Sequence, residues 1–530
     1  MQRLSQARPT RKTWLALSLV LAASLAAVAW RASARPRVWA AGTVPVAFWV
    51  WGNELPAQEE IERAASETKA RVLFVRAGQL HAEGGRVSRV RAPTGKFPRG
   101  IPIHLVYNGT RALLASFAQL DARALASSIA ETYRADLVRA EGDCARVSGL
   151  QLDLDVPTRL LPRYAELLRA LRGRLPTGTQ LSVTGLTTWM NSPALPSTLD
   201  AVDFWIPQFY GARIPETLSE VMPVSSPASV ARDAARARAL NRPFYAGVAA
   251  YGYAALYSKA GALVEIRGDL DPDDAARDPD LELVERRPFE TDASTATSTD
   301  ASTGSEWRYV FRAQADTTVC GLFIRAGEQL MIDVPSAETL RASLRSVREQ
   351  AGGRLIGVCL FRLPAATDRT ALTLAQVVAA LADRPATSET KVQLSREAPD
   401  ATGEESSAHL CLTITNDGMS GALLGEALTV TLGVPAGSVG GIAGLENFEN
   451  VETLCGDATR GGAFEPCSAR RANAVRLRAR AWRPGAKSLA TLSVSNVLPS
   501  QLPVEVIVRD DDGRVRRSAR QVLVEGEQGR

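Results

Sequence analysis

From about residue 44 to residue 385, short apolar runs alternate with stretches of helical period. The runs fall at 44–51, 71–77, 101–107, 147–155, 181–186, 201–209, 244–250 and 355–361. Between them, 56–68, 120–140 and 158–174 repeat apolar residues at helical spacing, and 371–383 closes the set with a last helix. Eight strands alternating with helices predict an α/β fold, a (β/α)8 TIM-type barrel over about 44–385. One insertion is expected between strands seven and eight, at about 269–330. It contains an acidic stretch at 269–280, a Ser/Thr-rich stretch at 290–304 and two short strands at 308–313 and 318–324. A helix over 336–350 leads back to the barrel. Beyond a polar linker at 386–390, residues 391–530 change to short strands cut by Gly, Pro and Asp turns. That pattern predicts a C-terminal all-β, sandwich-like domain.

The fourth run carries the most chemistry. In Ser148-Gly149-Leu150-Gln151-Leu152-Asp153-Leu154-Asp155-Val156-Pro157, a period of two sets Leu150, Leu152 and Leu154 on one face. Gln151, Asp153 and Asp155 fall on the other. A barrel strand with leucines under the helices and carboxylates inward puts those acids at the C-terminal mouth. Carboxylates at i and i+2 lie roughly 6–7 Å apart along the strand. Each raises the cost of ionising the other, so one can hold a proton while its partner is charged. The competing role for Asp155 is a cap on the helix that follows, and for Asp153 a hydrogen bond inside the barrel.

Other strand ends supply candidate substrate contacts. Trp51 and Trp49 share one side of strand one, with Trp51 nearer the mouth, and Trp189 follows strand five in the same sense. Tyr107, Trp205, Tyr251 and Tyr253 complete the aromatic set, and such rings stack on the apolar face of a sugar. Gln208 and Tyr210 end strand six. Arg76, Asn108 and Arg362 end strands two, three and eight, where they can bind an anionic or polyhydroxylated ligand or, for Arg76, pair with the aspartates.

Composition narrows the chemistry. The chain has 530 residues, 45% hydrophobic and 22% charged, with a net charge of +5, part of it within residues 1–37. No basic face with interleaved aromatics appears, which argues against nucleic-acid binding. Residues 1–37 read as a targeting segment: a basic start, an apolar run at 14–30, then Ala32-Ser33-Ala34. Cleavage near Ala34 would release the rest, whereas an uncleaved run would attach it to the membrane. Either way residues 38–530 are exported, to the periplasm or beyond. An oxidising compartment would permit a bridge between Cys455 and Cys467, which bracket a short loop; the alternative is two unpaired thiols. With three histidines and no His/Cys cluster at ligand spacing, neither a metal nor a cofactor is expected. Nucleophile-elbow, P-loop and dinucleotide-binding patterns are missing.

The fourth strand resembles that of glycoside hydrolase family 18, D-G-x-D-x-D-x-E. Ser148 stands for its first Asp, Gln151 for the second, Asp153 for the third and Asp155 for the catalytic Glu. Asp155 therefore reaches roughly 1.5 Å less far than that Glu. Gln208-Phe209-Tyr210-Gly211 is similar to the family's M-x-Y-D, which implies a substrate contact for Tyr210, and Asp333-Val334-Pro335-Ser336 resembles its D-x-x-S turn. A closer likeness is to the domain-of-unknown-function family 3142. It rests on Asp153, Asp155, Pro157, Tyr164-Ala165-Glu166-Leu167-Leu168 and the stretch VDFWIPQFYG, and covers the barrel. For a protein exported by its leader, the resemblance implies hydrolysis of a cell-envelope or extracellular polysaccharide. In it Asp155 is the general acid, Asp153 its charged partner and Tyr210 a catalytic contact, and an N-acetyl carbonyl of the substrate can serve as nucleophile. The alternative is a non-catalytic barrel that binds a glycan or a partner protein.

Overall fold

The computed structural model describes residues 39–525 except 41, 212–215, 219–223, 269, 289–306, 366–369, 398–406, 423, 457–463, 496–498 and 511–513. The expected leader and the Ser/Thr-rich stretch at 290–304 lie outside the described residues. Eight parallel strands close into a barrel: β1 (Val46–Val50), β2 (Ala70–Glu83), β3 (Pro102–Gly109), β4 (Arg146–Asp153), β5 (Gln180–Leu186), β6 (Phe204–Gln208), β7 (Phe244–Ala249) and β8 (Leu355–Phe361). β1 pairs with both β2 and β8, which completes the ring.

Side-chain parity divides the barrel into two cores. Leu150, Leu152 and Leu154 of the β4 segment point outward into a large apolar cluster beneath the helices. Helix Leu161–Arg172 meets them with Tyr164, Leu167, Leu168 and Leu171, all fully buried. The inner cluster is smaller and aromatic: Trp49, Phe74, Val106, Phe204, Ile206 and Cys359 fill the barrel floor. His104 lies among them, its ring 5.0 Å from Phe74 and 5.5 Å from Phe204. Burial pushes its imidazole down to about 4, so it stays neutral.

Gly149 is required by that histidine. A Cβ there would lie 2.4 Å from His104 Cε1 and 2.6 Å from the Gln180 carbonyl oxygen. Gly149→Ala is expected to destabilise the barrel by about 1–3 kcal/mol, the usual cost of overpacking. The measurement is the urea unfolding midpoint, and an unchanged midpoint would refute the packing argument.

The insertion is larger than the chain pattern suggests. Its antiparallel sheet has the order Leu263–Arg267, Tyr253–Tyr257, Gln329–Val334, Trp307–Ala313, Leu281–Pro288. Two of these strands precede residue 269. Helix Ala337–Gln350, capped by the Ser336 hydroxyl accepting from Thr339 N at 3.0 Å, returns the chain to β8.

The C-terminal region is a ten-stranded sheet folded over a single apolar core that includes Trp482, Leu412, Leu477 and Val504. Cys455 and Cys467 form the disulfide there. This region docks on the insertion: Leu424 packs into the insertion core, Arg483 pairs with Asp271, and Arg480 lies 3.6 Å from Asp273. Among the described residues no helix is long and apolar enough to cross a membrane.

Candidate active site

β4 ends at Asp153, and Asp155 follows on the same inward parity, so both carboxylates stand at the C-terminal mouth. Their surroundings differ. Asp153 is half-buried, and its Oδ1 accepts from the Thr184 hydroxyl on β5 at 2.6 Å and from Gln208 Nε2 on β6 at 3.4 Å. Asp155 is exposed. It does not cap the following helix: Pro157 holds the cap position of the turn Thr158–Leu160, with no side-chain capping bond.

Burial raises the Asp153 pKa to about 7, and the Asp155 charge adds to the effect; the Thr184 hydroxyl opposes both, because it stabilises the ionised form. The Asp155 pKa is also raised, by desolvation within the mouth. The two groups therefore titrate as a pair. Asp153, expected as the charged member, holds its proton up to near neutral pH.

An aromatic wall faces the acids. Tyr251, Trp51 and Tyr210 gather around Phe361 at ring distances of 5.0, 5.7 and 5.8 Å. Tyr210 also meets Tyr251 edge-on at 5.9 Å and Trp49 at 6.4 Å. Burial holds the Tyr210 hydroxyl well above its ordinary pKa, so it remains a donor. Phe361 was not singled out in the sequence, although it shares inward parity with Cys359. Thr184 was missed as well; it follows Ser182 on the inward side of β5.

Several expected contacts lie elsewhere. Gln151 is fully buried below the mouth, accepting from Trp49 Nε1 at 2.8 Å and donating to Ser182 Oγ at 3.3 Å. It supports the floor and has no exposed surface at the mouth. Tyr107 points outward with Ile103 and Leu105, and its hydroxyl donates to Asp136 Oδ2 at 2.8 Å on helix Ala122–Gly142. Trp189 is also outside the barrel, donating from Nε1 to the Val156 carbonyl at 2.9 Å and packing on Tyr164 at 5.9 Å. Trp205 joins the same outer core, and Tyr253 belongs to the insertion sheet. Asp333 is consumed by Arg308 in a fully buried ion pair, so the turn it opens has a structural role.

Asn108 keeps the mouth position, in register with Asp153, and its amide oxygen is buried without a hydrogen-bond partner. Arg76 also faces inward but does not touch the aspartates. Its Nη1 donates to the Gly52 carbonyl at 2.9 Å and to Asn53 Oδ1 at 3.3 Å. Arg362 Nη2 donates to the Gly268 carbonyl at 3.1 Å. Among the described residues, no group of His, Cys, Asp and Glu could hold a metal.

Fold and site together define a (β/α)8 barrel with a carboxylate pair at its C-terminal mouth. Residues 111–281 match the family described as Domain of unknown function (DUF3142). That segment spans β4 to β7 and includes both aspartates and Tyr210. No curated protein matches the chain. Among solved structures, the chain is similar to a chitinase from Chromobacterium violaceum, at 18% identity and a TM-score of 0.43, over 64% of this chain and 100% of the other. The spore cortex-lytic enzyme SleL of Bacillus cereus aligns at 13% identity and a TM-score of 0.41, over 64% and 74%. A chitinase from Bacteroides thetaiotaomicron aligns at 9% identity and a TM-score of 0.38, over 64% and 97%.

Proposed function

We propose that the protein is a glycoside hydrolase that acts on a cell-envelope or extracellular polysaccharide. The observation that carries this reading is the asymmetry of the pair: one carboxyl half-buried and hydrogen-bonded, the other open to the mouth. Asp155 delivers the proton, because it stands where a ligand can reach it. Up to near neutral pH the pair retains one proton, held on Asp153 at rest, and its transfer to Asp155 when substrate enters arms the acid and leaves the charge on Asp153. The proton passes from the Asp155 carboxyl to the glycosidic oxygen, the C1–O bond breaks, and the leaving sugar departs as an alcohol. Water takes C1 in place of the leaving sugar or, where the sugar bears an N-acetyl group, the carbonyl oxygen of that group attacks C1 first and water then opens the ring so formed; the proton of the water returns to the carboxylate pair. The Tyr210 hydroxyl donates to that group, and Trp51, Tyr251 and Phe361 stack against the sugar rings.

The protein acts outside the cytoplasm, either freed by cleavage near Ala34 or attached through residues 14–30. The basic-apolar leader and the Cys455–Cys467 bridge support export. The test is release of new reducing ends from a panel of soluble polysaccharides by the full chain. No product from any of them, with retained binding, would assign the barrel to glycan capture.

Thr184→Val supplies a finer test. The hydroxyl stabilises ionised Asp153, so its loss raises the Asp153 pKa further. The alkaline limb of the pH–rate profile is expected to move upward by about one pH unit, the worth of one charge-assisted hydrogen bond. A limb that stays in place would separate Asp153 from the reaction.

A further inference from the structure

We propose that Arg76, with Trp51 beneath it, forms a subsite for the carboxylate of an acidic sugar. The sugar is either a uronic acid or an amino sugar bearing a lactyl group. This rests on the hydrolase reading only in taking the ligand to be a glycan.

Arg76 is 5% exposed, on the inward face of β2, next to the mouth. Arginine is charged at any pH the protein meets, and burying such a charge without an anion is costly. In most folds a carboxylate closes that deficit, and Arg308 with Asp333 follows the rule in this chain. Among the described residues no carboxylate pairs with Arg76. Its partners are one peptide carbonyl, one amide oxygen and the face of Trp51, 5.7 Å from the guanidinium carbon.

These contacts occupy Nη1 and leave Nε and Nη2 as an unused fork, the pair that binds a carboxylate side-on. Burial and then the charge of Arg91, at the exit of the hairpin strand Arg86–Val90, act against the Arg76 charge, so an anion at the fork would relieve it. Trp51 joins this subsite to the aromatic wall through Phe361, so a chain of sugars stacked on the wall brings one substituent to the fork.

The test is calorimetric binding to full-length Asp155→Asn protein, which does not consume the ligand. The probes are an oligosaccharide containing uronate, the same oligosaccharide after its carboxyls are reduced to alcohols, and a lactyl-bearing amino-sugar oligosaccharide with its lactyl-free counterpart. At least one acidic probe is expected to bind about tenfold or more tighter than its neutral counterpart, the worth of a charge-assisted bidentate contact. The arm that shows the preference names the sugar.

Adding Arg76→Gln is expected to erase the preference. Where that variant does not fold, by near-ultraviolet circular dichroism, the acid-against-neutral comparison decides alone. Equal affinity for acidic and neutral probes, absence of binding by the acids, or a preference that survives in folded Arg76→Gln would overturn the proposal. The two readings fail separately. Cleavage of a neutral glycan without charge preference removes the subsite and keeps the hydrolase, whereas charge-dependent binding without wild-type cleavage does the reverse.

Discussion

Asp155→Asn is expected to abolish release of reducing ends while leaving polysaccharide affinity nearly unchanged. The amide has the shape of the carboxyl but cannot hand a proton to the departing oxygen. General-acid catalysis is worth about 100- to 10,000-fold, so turnover should fall by that factor. Asp155 is exposed and makes no helix-capping bond, so its loss should not disturb the fold. That combination gives the test its force: the variant should unfold at the wild-type midpoint and bind like wild type. Turnover that survives would leave the proposed reaction without its acid. A substrate with an activated aryl leaving group needs little protonation and should be cleaved by the variant at a far larger fraction of the wild-type rate. An equal loss on both substrates would point to a positioning role instead.

The barrel was legible because each strand obeys a simple parity. In β4 the three leucines and the two acids separate by position, and the structure puts each set on the expected face. Position at a strand end does not by itself separate the mouth from the outer face. Tyr107 stands at a strand end but has outward parity with Ile103 and Leu105, so end position alone misleads about the face it presents. Trp189 lies in a short turn after β5, where no alternation exists to read. Gln151 has the right face but the wrong depth. Alternation gives the side of a strand, while the height of a residue above the floor depends on how eight strands are staggered. The same stagger hid Thr184, since its bond to Asp153 links neighbouring strands through space. The insertion was underestimated because its sheet pairs strands far apart in sequence, Tyr253–Tyr257 with Gln329–Val334.

Asp333→Ala is expected to destabilise the protein by about 3–5 kcal/mol, the cost of stranding a buried charge. Arg308 and Asp333 are cross-strand neighbours in the centre of the insertion sheet, 0% and 1% exposed. Arg308 Nε and Nη2 meet the two carboxylate oxygens at 2.8 Å each, a fork-to-fork pair. Removing the anion leaves a guanidinium that water cannot reach. The consequences extend to the mouth, because the same sheet packs Tyr253, Ala255 and Met331 against Tyr210 and Tyr251. Loosening it should lower affinity for substrate as well as the denaturant midpoint. Replacing both partners together, Arg308→Met with Asp333→Leu, should recover most of the lost stability, since buried pairs are often matched by apolar residues of similar volume. Equilibrium unfolding of wild type, single and double variants measures both effects. If the double variant is as unstable as Asp333→Ala, the loss comes from packing at that position and the stranded charge does not explain it.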